Sequence, residues 1–244
     1  MRRLDDEQLN WVEETCRDYE MALMEDQGAL SYLRGRGLST SSADRFRLGV
    51  VVADPPPEHK GAAGRLAIPT IKRAGPTGFK FRCILPECLA GGEDDEHHEG
   101  HGKYMTFERQ SLFNVAALDN DRGWIALTEG ELDAMTLDGE CGIPAVGLVG
   151  VHSWHDHYYG LLKEFSRIWV FEDNDALKTR KNCKVCPGEC QGHNIGHEFG
   201  DFLCDKFDQA VRVQMPVIEE GRKSDVNRVF RARGRDFVRG LIGL

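Results

Sequence analysis

Leu9, Val12, Cys16, Tyr19 and Leu23 recur at steps of three and four, which predicts an amphipathic helix with an acidic outer face. A second short helix is expected near 29–33, closed by Gly35 and Gly37, and Ser39 to Ser42 offer an N-cap for a third, running through Phe46. Residues 50–53 have a strand pattern ended by Asp54-Pro55-Pro56-Pro57. Two more strands, 65–71 and 78–85, flank a turn at Ala74-Gly75-Pro76-Thr77-Gly78. From Gly123 the pattern changes. Apolar runs near 124–128, 144–149, 168–171 and 210–215 alternate with helical stretches near 131–139, 154–165 and 196–208. Such alternation predicts a parallel sheet with crossover helices. After Asp225 the apolar positions Val226, Val229, Phe230, Phe237, Val238 and Leu241 predict a helical, basic tail.

The expected fold class is therefore α/β, a parallel sheet flanked by helices and preceded by a smaller α+β basic subdomain. The expected boundaries are 1–120 for that subdomain, 121–218 for the sheet domain with a cysteine-bearing insertion at 177–195, and 219–244 for the basic helical segment. At 244 residues the chain has length enough for an ample core. No run approaches a membrane span, and the acidic start, Met1-Arg2-Arg3-Leu4-Asp5-Asp6-Glu7, is unlike a signal peptide. A cytoplasmic location is expected, with the eight cysteines reduced.

The net charge of −9 argues against a nucleic-acid partner only until its distribution is read. Residues 5–26 hold nine acids and one base, Arg17, whereas residues 65–82 hold five bases and no acid. Residues 222–239 add seven bases against two acids. Stripes of this kind can follow a phosphate backbone on an acidic protein. Without a catalytic site beside them they would read as solvated surface.

Two acidic clusters supply that site. Glu129-Gly130-Glu131-Leu132-Asp133 follows the apolar run 124–127, and Asp173-Asn174-Asp175 follows 168–171. Ligands of open parallel sheets bind outside the carboxyl ends of the strands, so both clusters are expected to face one crevice. Carboxylates gathered there need a hard cation, and oxygen-only donors suit Mg²⁺ or Mn²⁺. One cluster alone would read equally well as solvated loop acids; the matched pair points to metal-dependent phosphoryl or nucleotidyl transfer.

At these residues the chain resembles a Toprim domain, the catalytic fold of bacterial-type DNA primases, topoisomerases and some nucleases. Glu129-Gly130 and Asp173-Asn174-Asp175 match its Glu-Gly and Asp-x-Asp motifs. The first half resembles the primase branch. Tyr32-Leu33-Arg34-Gly35-Arg36-Gly37-Leu38 is similar to its Tyr-Leu-x-x-Arg-Gly-Leu element, and Phe46-Arg47-Leu48-Gly49 to the Phe-x-x-Gly that follows. Leu66-Ala67-Ile68-Pro69, Phe79-Lys80-Phe81-Arg82 and Lys103-Tyr104 continue the likeness in order. It implies a core that makes RNA primers on single-stranded DNA from ribonucleoside triphosphates with Mg²⁺ or Mn²⁺. Glu129 would be the general base or metal-organising carboxylate, and Asp173 and Asp175 the metal ligands. Asp133 would support the metal shell, and Asp225 resembles the acidic motif after the last strand. Asp133 and Asp225 read alternatively as helix N-caps. Arg82 and Lys103 are expected on template or nucleotide phosphates, with Lys80, Arg34 and Arg36 next, and Tyr104 as a base-stacking ring.

The chain departs from that pattern after Ala176, where an insertion carries Cys183, Cys186, Cys190 and His193. Their types and spacing fit a structural Zn²⁺ site, although a single half-pattern reads more simply as reduced loop thiols. Cys83 and Cys88, with His97, His98 and His101, form a looser second cluster whose irregular spacing favours ordinary side chains over a metal site. Cys16, Cys141 and Cys204 fall on apolar faces as core residues. No four-ligand zinc ribbon precedes the core and no helicase-binding module follows it. A stand-alone phage or plasmid primase is therefore expected, with a replicative helicase or a separate zinc-binding primase component as partner. The competing readings are a Toprim nuclease with water as nucleophile, and an inactive zinc-knuckle accessory protein of replication.

Overall fold

The computed structural model describes residues 4–90, 98–107, 111–148, 154–181, 183, 186 and 189–244. The chain divides into two compact units, residues 1–116 and 117–244.

The first unit opens with α1 (Asp6–Glu25), whose start is fixed by a capping box: Asp5 accepts from the Gln8 N–H, and the Gln8 side chain accepts from the Asp5 N–H. Its buried stripe includes Val12, Cys16, Tyr19 and Leu23, four of the five positions the periodicity names. Helices α2 (Gln27–Gly35) and α3 (Thr40–Arg45) follow, capped by Asp26 and Ser39. An antiparallel sheet comes next, in the order β1 (Gly49–Val50), β2 (Leu66–Lys72), β3 (Gly75–Arg82), β4 (Tyr104–Thr106). The short helix α4 (Pro86–Leu89) lies between β3 and β4. Val12, Cys16 and Tyr19 of α1 pack on Ala67, Phe79 and Phe81 of the sheet to form the core.

The expected strand at 50–53 reduces to two residues, and the expected five-residue turn tightens, because β3 begins at Gly75. Pro76 sits inside β3 opposite Ile71, beside a register shift between Pro69 and Ile71. β4 pairs only with residues 80–82. Pro76 therefore has β2 on one side and, among the described residues, no strand on the other, where its missing N–H costs no ladder bond.

The second unit is a parallel sheet in the order β6 (Ala145–Gly147), β5 (Trp124–Thr128), β7 (Arg167–Glu172), β8 (Ala210–Gln214). Its helices are α5 (Glu131–Met135), continued by a π-helical turn at Thr136–Glu140, then α6 (His157–Leu162), α7 (Ile195–Cys204), α8 (Val226–Arg233) and α9 (Arg235–Gly240). The basic segment set apart at 219–244 lies within this unit. Val226, Val229 and Val238 are fully buried, while Phe237 stays 40% exposed. Among the described residues no helix is long and apolar enough to cross a membrane.

Candidate active site

Glu129 follows β5, and Asp173 and Asp175 follow β7, the strand hydrogen-bonded alongside it. Parallel register carries both chains out of the sheet at the same end. One oxygen from each of Glu129, Asp173 and Asp175 lies within 4.8 Å of the others. Two glycines let the backbone close around them. A Cβ at Gly147 would stand 2.9 Å from the Gly130 carbonyl oxygen, so β6 can approach the Glu129-Gly130 turn only without a side chain. A Cβ at Gly196 would overlap the Asp173 backbone, so α7 rests directly on the loop that presents the two aspartates.

Sequence reasoning gave no role to Lys223, which the fold brings into this cluster. Asn174 and Ser224 form an antiparallel bridge, with N–H···O distances of 2.7 and 3.0 Å. The bridge sets the Lys223 ammonium 2.5 Å from Asp173 Oδ2 and 3.5 Å from Asp175 Oδ1. The available signal was its place two residues before Asp225, in a segment already singled out for its acid.

The electrostatics are those of crowded buried acids. Burial, then the Asp173 charge, pushes Glu129 up to about 8. Burial raises Asp173 to about 6 despite the opposing pull of Lys223. Burial penalises the Lys223 ammonium, but Asp173, Asp175 and Asp225 more than offset this and hold it above the ordinary lysine range. Oε1 of Glu129 is buried and has no hydrogen-bond partner among the described residues. A buried orphan carboxylate oxygen beside two more carboxylates is a donor set that fits a divalent cation with oxygen ligands.

Asp133 and Asp225 are differently employed. Asp225 caps α8, accepting the Arg228 N–H at 2.8 Å, and Asp133 Oδ1 accepts the Asn227 N–H at 3.0 Å. Burial, then Asp225 and Asp173, holds the Asp133 carboxyl well above the usual carboxylate range. Asp133 thus ties α8 to α5. Glu172, also unremarked in the sequence, is fully buried and grips Arg212 of β8 through two bonds of 2.9 and 3.1 Å, bracing the strand end that carries Asp173.

In the first unit the basic and aromatic candidates gather around two tyrosines. The Arg82 guanidinium donates to the hydroxyls of both Tyr32 and Tyr104. It is 2% exposed, which corrects the expectation that it reaches phosphate directly. The two hydroxyls offset the cost of burying its charge and leave it holding the rings in place. Arg36, 7% exposed, lies over the Tyr32 ring and is likewise withdrawn from the surface. Lys80 Nζ stands 4.2 Å from the centre of the Tyr104 ring, which is 38% exposed. Lys80 and Lys103 are half-buried, and Arg34 is exposed on α2.

The insertion after Asp175 folds back through an antiparallel bridge between Lys178 and His193, with both bonds at 2.9 Å. Cys183, Cys186, Cys190 and His193 each place a ligand atom within 4.8 Å of the rest. His193 Nε2 is 3.0 Å from Cys183 Sγ and 3.5 Å from Cys186 Sγ, while its Nδ1 lies 3.0 Å from Glu198. A carboxylate on one ring nitrogen with sulfurs on the other is the arrangement by which a metal-binding imidazole is oriented.

No protein-family model matches the chain. An alignment of 100 residues, covering 36% of this chain and 65% of the other, gives 33% identity to the Gene 57 protein of Mycobacterium phage D29. The Aquifex aeolicus primase (zinc binding and RNA polymerase domains) superposes with a TM-score of 0.70 at 18% identity, over 98% of this chain and 63% of that one. The fold is that of a bacterial primase catalytic core. The RNA polymerase domain of Mycobacterium tuberculosis primase DnaG, in complex with a double-stranded DNA oligomer carrying a 6-nucleotide overhang, gives 0.68 at 17% identity over 98% of this chain and 80% of that one. The chain thus spans somewhat under two thirds of the Aquifex primase chain and of the phage protein.

Proposed function

We propose that the chain is a Toprim-type DNA primase core that synthesises short RNA primers on single-stranded DNA. The observation that carries the proposal is the convergence of Glu129, Asp173 and Asp175 within 4.8 Å on the fold of a primase catalytic core. Glu129, Asp173 and Asp175 would hold Mg²⁺ or Mn²⁺, which when bound neutralises charge on the attacked α-phosphate and the leaving pyrophosphate. Glu129 is the group to receive the proton of the attacking 3′-hydroxyl. Burial and the neighbouring Asp173 charge raise its proton affinity in the metal-free chain. The hydroxyl oxygen bonds to the α-phosphorus, and the bond to the bridging oxygen breaks to release pyrophosphate. Lys223 supplies a second positive charge beside Asp173 as phosphates arrive. Asp133 and Asp225 act as positioning residues, setting α8 and the Lys223 loop against the site.

On the first unit, Tyr104 offers a face for stacking a template base, with Lys80, Lys103 and Arg34 as phosphate partners and Arg82 and Arg36 fixing the rings. In the insertion, Cys183, Cys186, Cys190 and His193 would hold a structural Zn²⁺ that stiffens the segment between Asp175 and α7.

Incubation with single-stranded DNA, labelled ribonucleotides and Mg²⁺ or Mn²⁺ tests the reading. Labelled oligonucleotides are expected from the native chain and not from Asp173→Ala or Glu129→Ala. Cleaved template without synthesis would instead indicate a nuclease and overturn the proposal.

A further inference from the structure

The irregular spacing of Cys83, Cys88, His98 and His101 hides a regular constellation. Cys83 directly follows β3, and its N–H donates to the Lys103 carbonyl at 2.8 Å. The buried Arg65 holds the neighbouring Gly102 carbonyl at 2.9 Å. The far end of the β3–β4 excursion is thereby brought back beside its start, and His101 with it. Cys88 is presented by α4, whose helical turn points it inward, where it is 3% exposed. One ligand atom from each of Cys83, Cys88, His98 and His101 lies within 4.8 Å of the others.

His101 Nε2 is 3.4 Å from Cys83 Sγ and 3.4 Å from Cys88 Sγ. An imidazole nitrogen has one lone pair or one proton, directed in the ring plane. It cannot serve two thiols equally as a hydrogen-bond partner. Equal distances are, however, what a shared centre imposes. Zinc bonds of about 2.3 Å to sulfur and 2.0–2.1 Å to nitrogen set tetrahedral S···N edges of about 3.5 Å. The rings of His98 and His101 meet at 74° with centroids 5.5 Å apart, so they converge rather than stack.

We infer that Cys83, Cys88, His98 and His101 form a tetrahedral structural Zn²⁺ site in the first unit. Two thiolates and two imidazoles suit zinc over hard cations, and four protein donors leave no open position for chemistry. The metal closes the excursion between β3 and β4, one residue from Arg82 and three from Tyr104, and so fixes the strand pair that presents the Tyr104 ring. The inference rests on no part of the proposed catalytic role, and metal content reads it independently of activity.

The test uses the full-length chain carrying Cys183→Ser and Cys186→Ser, which leaves this set alone intact. It is expected to retain about one zinc per chain, with two sulfur and two nitrogen neighbours in its X-ray absorption spectrum, and to lose that zinc when Cys83→Ser and Cys88→Ser are added. Should the last variant fail to fold, His101→Cys keeps four donors and is expected to raise the sulfur count from two to three. A folded Cys183→Ser/Cys186→Ser chain that neither carries zinc nor takes it up on titration overturns the inference, as does a sulfur count unmoved by His101→Cys.

Discussion

The Lys223 ammonium lies 2.5 Å from Asp173 Oδ2, held there by the two backbone hydrogen bonds between Asn174 and Ser224. It is the positive charge that makes the carboxylate cluster tolerable in the absence of a divalent ion. Lys223→Met is therefore expected to destabilise the metal-free chain by about 1 kcal/mol, a modest figure because the ammonium is partly solvated. The same substitution should enlarge the thermal stabilisation conferred by Mn²⁺, since the cation then meets uncompensated acids. Thermal unfolding in chelator and in Mn²⁺ measures both; equal shifts in variant and native chain would contradict the assignment.

Glu129 is a half-buried acid whose Oε1 is buried and orphaned among the described residues, and such groups store instability for the sake of function. Glu129→Gln removes the ionisable carboxyl beside Asp173, and with it any cost of charging that site, while keeping the shape. The expected outcome is an equal or higher melting temperature in chelator together with a loss of primer synthesis of about 100-fold or more. Calorimetry and the labelled-ribonucleotide assay check the two halves separately.

Behind the site, Glu172 is fully buried and its charge is met by Arg212. Arg212→Ala leaves that carboxylate without its partner. A destabilisation of about 3 kcal/mol is expected, the scale for breaking a buried pair, against a smaller loss for the joint variant Arg212→Met/Glu172→Met. Denaturant unfolding of the three chains gives the comparison.

His59 introduces a pH dependence in the first unit. The ring is 5% exposed, lies against Phe79 and Phe81, and its Nδ1 is 2.8 Å from the Tyr19 hydroxyl. Burial holds its pKa below the ordinary histidine value. Between that lowered pKa and the unfolded value of about 6.5 the unfolded chain binds more protons, so stability rises with pH through this window and falls as the solution is acidified below about 6.5. His59→Gln should flatten that slope in unfolding curves taken below neutrality.

Much of this was legible from periodicity. The alternation after Gly123 gives the parallel sheet because each strand is an apolar run and each helix a stripe. Both acidic clusters sit where a strand must end, so the convergence of Glu129, Asp173 and Asp175 follows from topology. Lys223 was not legible, because its place depends on a two-residue bridge, Asn174 to Ser224, that leaves no periodic trace. Arg82 misled for a related reason. A basic residue at a strand end reads as exposed, whereas its burial depends on two tyrosine hydroxyls, one of them fifty residues away in sequence. Cys83, Cys88, His98 and His101 were discounted on spacing, but the antiparallel return to Lys103 makes sequence spacing irrelevant. His97 falls outside the described residues.

The central claim is that Glu129, Asp173 and Asp175 share one divalent-ion site. Titration of Mn²⁺ into the full chain, followed by electron paramagnetic resonance, tests it directly. The native chain is expected to bind Mn²⁺ and the Asp173→Asn/Asp175→Asn chain to leave it free in solution. Equal Mn²⁺ binding by both folded chains would contradict the claim.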